Sequence, residues 1–405
     1  MIVRSPSAWA AVAALCGALP HAHAHAQRAA PQVLSEADVI RLVRASDPGV
    51  RRARLNVEAA AAGEVGVDAY PNPRLSWERE HLPDAGESED AIALSIPIAL
   101  SGERAARAAL ARADTASARA AALRERSAAT RRGLELFYAA LAAGARVELE
   151  RAALARLEKG AAVLARRHEE GTASGYERAR VDLELELSRS ALREAEAGAA
   201  AQRARLAALL GLVAEPQLRG ALAPAETGGS ATAPESARQD ALAGEQARSA
   251  GREAESAWLP TVELHAGVKL ADGASTEAGY VAGLSLDLPL FDHGQGLRAR
   301  SGARAALADA RAQEATRARE LAIAHATGEL IRAQRELGAL KAGTGALLER
   351  LQRAARTGYV EGRRSVVELL DVQRAQTRVA RRRLLLQHAA RRADLALRDA
   401  RGELE

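Results

Sequence analysis

Aromatic side chains are almost missing from this chain: phenylalanine, tyrosine and tryptophan make up 2% of 405 residues. A core built without them is thin, so thick globular domains are excluded and long elements packed through small side chains are expected. Cysteine is equally scarce. The single one, Cys16, lies in residues 1–26, where Arg4, an apolar stretch from Ala8 to Leu19 and Ala24-His25-Ala26 have the order of a cleaved export signal. Leu15 stands before Cys16 where lipid attachment wants a small residue, and His21, His23 and His25 also precede the expected cut. A mature chain beginning near Gln27 therefore has no disulfide and no thiol chemistry. Runs of about 20 apolar residues are absent too, so any membrane passage requires a closed β-barrel. Charge of one sign is not in excess: 57 Lys and Arg stand against 52 Asp and Glu, interspersed, which reads as solvated helix surface and not as a nucleic-acid stripe.

Proline is missing from two long stretches, between Ile98 and Glu215 and after Pro289. An interior proline costs a helix about 3 kcal/mol, and both stretches are rich in Ala, Leu, Arg and Glu with apolar residues at helical spacing, such as Leu134, Phe137 and Leu141 or Val372, Ala375 and Val379. Each is expected to form a helical hairpin, 102–212 and 294–405, with a first arm of about 100 Å. The glycines that open them, Gly102 and Gly294, are 192 residues apart; those at their turns, Gly171 and Gly362, are 191 apart. The chain thus reads as an internal two-fold repeat: 27–212, a linker at 213–235 marked by Pro216, Pro224, Gly228, Gly229 and Pro234, and 236–405. Each half begins with a shorter helical piece, from about Glu36 to Ala69 and from about Ser236 to Ala257.

Before each hairpin stand two strand candidates, about 74–100 and 261–291. Val262, Leu264, Ala266, Val268 and Leu270 alternate with Thr261, Glu263, His265, Gly267 and Lys269. Ile92, Leu94, Ile96, Ile98 and Leu100 share one face of the second segment, and Tyr280, Ala282, Leu284, Leu286 and Leu288 one face of the fourth. Ten-residue segments with one apolar and one polar face match outer-membrane strands. The joining loops, His81 to Asp90 and Ala271 to Gly279, are expected to be polar and exposed. Tyr70, Trp77, Trp258, Tyr280 and Phe291 fall at or beside these strands, where membrane-interface aromatics belong. A soluble sheet is the competing reading, but no helix here is apolar enough to cover it. Four strands cannot close a barrel, so the membrane reading requires oligomerisation.

The export signal, the doubled pattern of strand pair plus hairpin, Pro289-Leu-Phe-Asp-His-Gly294 and the Gly-x-x-Ser turns resemble the TolC-type outer-membrane efflux channels over nearly all of the mature chain. Residues 72–80 and 96–105 are similar to the heavy-metal efflux members. The resemblance implies a mainly α fold with a small β part, in which hairpins form an α-barrel in a homotrimer and four strands per subunit contribute to one transmembrane β-barrel. It implies an outer-membrane location extending into the periplasm, and as partners a periplasmic adaptor protein, a proton-driven inner-membrane pump and outer-membrane lipid. Gly171, Ser174, Gly362 and Ser365 match the tip that contacts the adaptor. Glu368 and Asp371 match the acidic pair that narrows the closed pore, while Tyr359 and Arg364 match residues of the network holding it shut. In the first half Arg180 and His168 stand where Asp371 and Tyr359 would be, so one acidic pair per subunit is expected. Three-residue spacing puts Glu368 and Asp371 on one helix face, and a solvated face near a helix N-terminus has the same pattern.

No Gly-rich phosphate loop, His-Glu-x-x-His, nucleophile elbow or Cys/His ligand set occurs, so no catalytic residue, cofactor or metal ligand is assigned. The expected function is a passive conduit for metal cations or small toxic compounds. A periplasmic coiled-coil adaptor and a type I secretion channel are the alternatives.

Overall fold

The computed structural model describes residues 33–82, 87–224, 233–272, 276–361, 363 and 365–405. The export signal, Gly362, Arg364 and the centres of both strand loops lie outside them, as does much of the linker.

Strand β1 (Val33–Leu34) leads into α1 (Glu36–Ser46) and α2 (Pro48–Ala62). Strands β2 (Arg74–Leu82) and β3 (Glu87–Ala99) precede α3 (Glu103–Glu169) and α4 (Gly175–Leu210). After β4 (Gln217–Leu218) come α5 (Glu235–Ala254), β5 (Thr261–Asp272), β6 (Thr276–Asp287), α6 (Gln295–Val360) and α7 (Val366–Ala400). The hairpin arms of 67 and 36 residues in the first half are matched by 66 and 35 in the second. At 1.5 Å per residue the long arms reach about 100 Å.

A helix of this length is held by its neighbours. The centre is α3, packed on α1, α2, α4, α5 and α7, while α6 packs on α5 and α7. Close approach comes from small side chains: Ala106 and Ala109 of α3 meet Ala250 and Ala254 of α5, and Val147 meets Ala195 and Ala199 of α4. The larger apolar side chains collect in two places. Leu34, Val39, Val43, Leu134, Phe137, Leu206 and Leu395 form the mid-level core, and Leu157, Leu164, Val181, Leu185, Tyr359, Val366 and Leu370 the core near the hairpin turns.

The first short helical piece differs from expectation, being two helices and a run of turns. Asp47 ends α1, and its side chain accepts the Val50 amide at 3.0 Å to start α2, with Pro48 in the first turn, where its missing N–H is no loss. The parallel β1–β4 pair was not foreseen, since two residues carry no periodicity. The strand pairs also run further outward than expected. β3 starts at Glu87 and β5 ends at Asp272, so residues 87–90 and 271–272 belong to the sheet. Their charges looked like loop chemistry but sit on sheet ends, where Glu89 pairs with Lys269 and Arg79 lies 3.9 Å from Asp90.

The four long strands form one antiparallel sheet in the order β2-β3-β5-β6. Two glycines seat it on the helices. The Gly102 amide donates to Ser256 Oγ at 3.0 Å, and a Cβ there would meet Glu253 O at 2.3 Å; Gly294 has φ +80° and a Cβ on it would meet Ala257 at 2.3 Å. Both strand-to-helix junctions therefore clasp the same segment that follows α5.

Candidate functional site

Two regions carry chemistry: the sheet and the hairpin turns. Strand register places Leu94 opposite Leu75 and Ala266, and Leu264 opposite Ile96 and Leu284, so the apolar residues of all four strands share one face. That face is open. Leu75 is 73% exposed, Leu284 63%, and Ile92, Leu94, Ile96, Leu264 and Val268 about half exposed. Trp77, Ile92, Val268 and Tyr280 are cross-strand partners and form a single row. Val268 stands seven positions along β5 from Thr261 at the strand base, about 23 Å. Beside that base lie Tyr70, Trp258 and Phe291, all exposed, with the Arg104 guanidinium 3.5 Å over the Tyr70 ring. Two tiers of aromatics thus bound an apolar band about as tall as the lipid-facing belt of a barrel. The opposite face carries Glu78, Glu80, Glu89, Glu263, Glu277 and Asp287 against Arg74 and Lys269, with small residues between them. Arg74 reaches across β3 to within 3.7 Å of Glu263.

The two turns close alike. Thr172 N donates to Arg167 O at 2.7 Å beneath Gly171, whose φ is +72°, and Arg363 N donates to Gly358 O at 2.8 Å. They are capped differently. Ser174 and Glu177 form a reciprocal capping box on α4: Ser174 Oγ accepts the Glu177 amide at 3.2 Å and the Ser174 amide donates to Glu177 at 3.0 Å. Ser365 occupies the same place on α7, with Glu368 three residues on, but makes no side-chain cap bond.

Tyr359, expected in the network of the turn, is 7% exposed inside the lower core. Arg167 lies 5.0 Å over its ring and donates to its carbonyl at 3.4 Å, while its hydroxyl is buried with no partner among the described residues. Glu368 and Asp371 are both exposed on the first two turns of α7. Asp371 lies 3.3 Å from Arg374, which also donates through Nε to Glu184 of α4 at 3.0 Å. That bond holds the Glu184 carboxyl below the usual carboxylate value. Sequence reasoning missed this link, and also Arg381, which grips the buried Glu150 of α3 through two bonds of 2.7 Å. A signal existed: Arg374 and Arg381 are seven apart on α7, two turns on one face.

No described helix is long and apolar enough to cross a membrane, and no three His, Cys, Asp or Glu among the described residues gather as a metal site.

A sheet with one bare apolar face, mounted on 100 Å hairpins, defines the class of outer-membrane channel folds. Solved structures agree. The outer-membrane channel CmeC of Campylobacter jejuni is 14% identical with a TM-score of 0.69 over 91% of this chain and 85% of that one. VceC of Vibrio cholerae, an outer-membrane protein, is 18% identical at 0.67 over 91% and 96%. The open state of the MtrE channel of Neisseria gonorrhoeae is 16% identical at 0.68 over 91% and 88%. No family model and no curated protein matches the sequence. The chain has the fold of the TolC-type outer-membrane channels that its motifs resemble.

Proposed function

We propose that the chain is one subunit of a homotrimeric outer-membrane channel, a passive conduit that completes a tripartite efflux system. The observation that carries this is the sheet. Among the described residues nothing covers its apolar face, and both edge strands, β2 and β6, leave a side unpaired. Exposed apolar edges of this length invite pairing, and closure removes them. Three copies supply twelve strands, enough to close a barrel in lipid, where four are too few.

The polar face then lines the bore, and its excess of carboxylates favours cations over anions, as does the exposed pair Glu368 and Asp371 if three copies converge at the lower end. This supports metal cations or small cationic toxic compounds as cargo. The hairpins span the periplasm, and the turns at Gly171–Ser174 and Gly362–Ser365 meet the adaptor that connects the conduit to an energised inner-membrane pump. Tyr359, Arg364, Glu368 and Asp371 form the gate in this reading.

Extraction separates it from a soluble periplasmic protein. The trimer is expected to leave the membrane fraction only in detergent and to form cation-selective channels in a planar bilayer. Recovery of a folded monomer in plain buffer, with no conductance, overturns the proposal.

A further inference from the structure

The two halves differ where the chain enters the sheet. Six residues, 255–260, join α5 to β5, whereas eleven, 63–73, join α2 to β2. The shorter connection is clasped by both strand-to-helix junctions, through Ser256 and Ala257. The longer one folds on its own backbone: Val67 N donates to Glu64 O at 3.4 Å and Ala69 N to Gly66 O at 3.1 Å, with Gly66 at φ +75°. A Cβ on Gly66 would meet nothing within 4 Å, and Val65 beside it is 83% exposed. The extra residues thus build a turn that projects from the end of α2 and leads through the exposed Tyr70 into β2.

Over Tyr70 lies an arginine without an acceptor. Arg104, in the first turn of α3, is half-buried with its guanidinium 3.5 Å above the ring, and it makes no hydrogen bond or ion pair among the described residues. Its Nη1 is shut off from water and meets no partner. Neighbouring arginines are matched: Arg107 lies 3.3 Å from Glu103, Arg74 lies 3.7 Å from Glu263, and Arg298 donates to the Ala254 and His293 carbonyls at 3.4 and 3.1 Å. A ring face attracts the charge of a guanidinium but accepts none of its edge N–H groups. Those donors remain for an oxyanion, and a phosphate takes two of them at once.

Position selects the source of that phosphate. Arg104 follows the central strand β3 and Trp258 precedes the central strand β5, so the lower aromatic tier runs across the sheet's own width and is not confined to an edge, where a second copy would sit. The tier closes the apolar band at its base. An unmatched arginine among exposed aromatic rings, with an apolar turn beside it, has the composition of the boundary between hydrocarbon and headgroups. We propose that Arg104, backed by Tyr70, binds the phosphate of a phospholipid headgroup, with the Val65 turn resting in the same boundary layer. The proposal rests on the reading of the apolar face as lipid-facing.

The test uses the full chain purified in detergent and stripped of lipid, with native mass spectrometry reading the lipid retained per subunit. The probes are phosphatidylglycerol and phosphatidylethanolamine with palmitoyl and oleoyl chains, and the diacylglycerol with the same chains, which lacks the phosphate. Both phospholipids are expected to be retained about tenfold more tightly than the diacylglycerol, the size of one charge-assisted contact. Arg104→Gln is expected to erase that preference and leave the diacylglycerol unchanged. Arg107→Gln, one turn on and already paired with Glu103, is expected to keep it. Heat-resistant trimers and conductance in Arg104→Gln show that the variant is folded. Equal retention of phospholipid and diacylglycerol by the native chain, or an undiminished preference in Arg104→Gln, overturns the proposal. Release of phospholipid by millimolar inorganic phosphate reassigns the site to free anions, and loss of the trimer in lipid-free Arg104→Gln reassigns it to a contact between copies; both reject it. A native chain that conducts without any preference rejects the lipid site alone, whereas one that neither conducts nor assembles rejects the channel reading and this proposal with it.

Discussion

Asp371 and Glu368 stand on a helix that is anchored a turn further on. Asp371 shares Arg374 with Glu184 of α4, so an acidic residue of the proposed gate is mechanically tied to the neighbouring hairpin. Arg374→Ala is expected to free the lower end of α7 and raise single-channel conductance in a planar bilayer; unchanged conductance dissociates this link from the pore. The link also has a sign with pH. Glu184 has a lower pKa folded than unfolded because Arg374 bonds it, so its stabilisation is complete at and above the ordinary carboxylate value. It is lost as pH falls through the folded value. Conductance of the native protein should therefore rise in strongly acidic solution and be flat from pH 6 to 8, and the acid-induced rise should be absent in Glu184→Gln. Replacing Glu368 and Asp371 together by Ala is expected to widen the passage and weaken block by multivalent cations, whereas an unaltered block leaves them as ordinary solvated carboxylates. Their type and spacing were legible in the sequence. Their exposure, the burial of Tyr359 and the tie through Arg374 were not, because each depends on which helix lies alongside.

Helices and strands obey rules that are partly visible in the residue string. The absence of proline marked both hairpins, and α3 and α6 do run unbroken for 67 and 66 residues. Asp47-Pro48 was passed over as part of one helix, although a capping acid before proline is also a start signal; the packing of α1 against α3 decides between them. Sheet ends were read as loops because cross-strand pairing, as between Glu89 and Lys269, gives charges a place on a strand that a one-dimensional pattern cannot show. The two turns permit a direct comparison. Ser174→Ala removes a capping box and is expected to cost about 1 kcal/mol in thermal or denaturant unfolding, while Ser365→Ala, which loses no cap bond, should be near neutral. Equal losses would mean that Ser365 caps α7 in solution. Between hairpins, Arg381→Ala leaves the 1%-exposed Glu150 without its two bonds and is expected to destabilise by about 3 kcal/mol. Arg381→Lys should recover only part of this, because an ammonium cannot match the bidentate geometry.

In the proposed channel the molecule as a whole is organised by solvent: water around the hairpins, hydrocarbon around the sheet, and water again within the bore. One pair of substitutions on adjacent residues tests that partition. Leu284 lies on the apolar face opposite Leu264, near the middle of the band between the Trp77–Tyr280 row and the strand base. Ser285 follows it on the polar face, opposite Glu263. An arginine at Leu284 would face lipid near the bilayer midplane, where a cation costs a barrel about 2–4 kcal/mol per copy. In a trimer that cost is met three times around one ring. An arginine at Ser285 would face the bore, beside a carboxylate, at little cost. Leu284→Arg is therefore expected to abolish heat-resistant trimers and channel insertion, and Ser285→Arg to preserve both while lowering cation selectivity. In a soluble sheet the half-exposed apolar face is the solvated one, so Leu284→Arg would be tolerated or would improve solubility. The order of the two phenotypes thus decides which face of this sheet meets lipid, independently of what the channel carries.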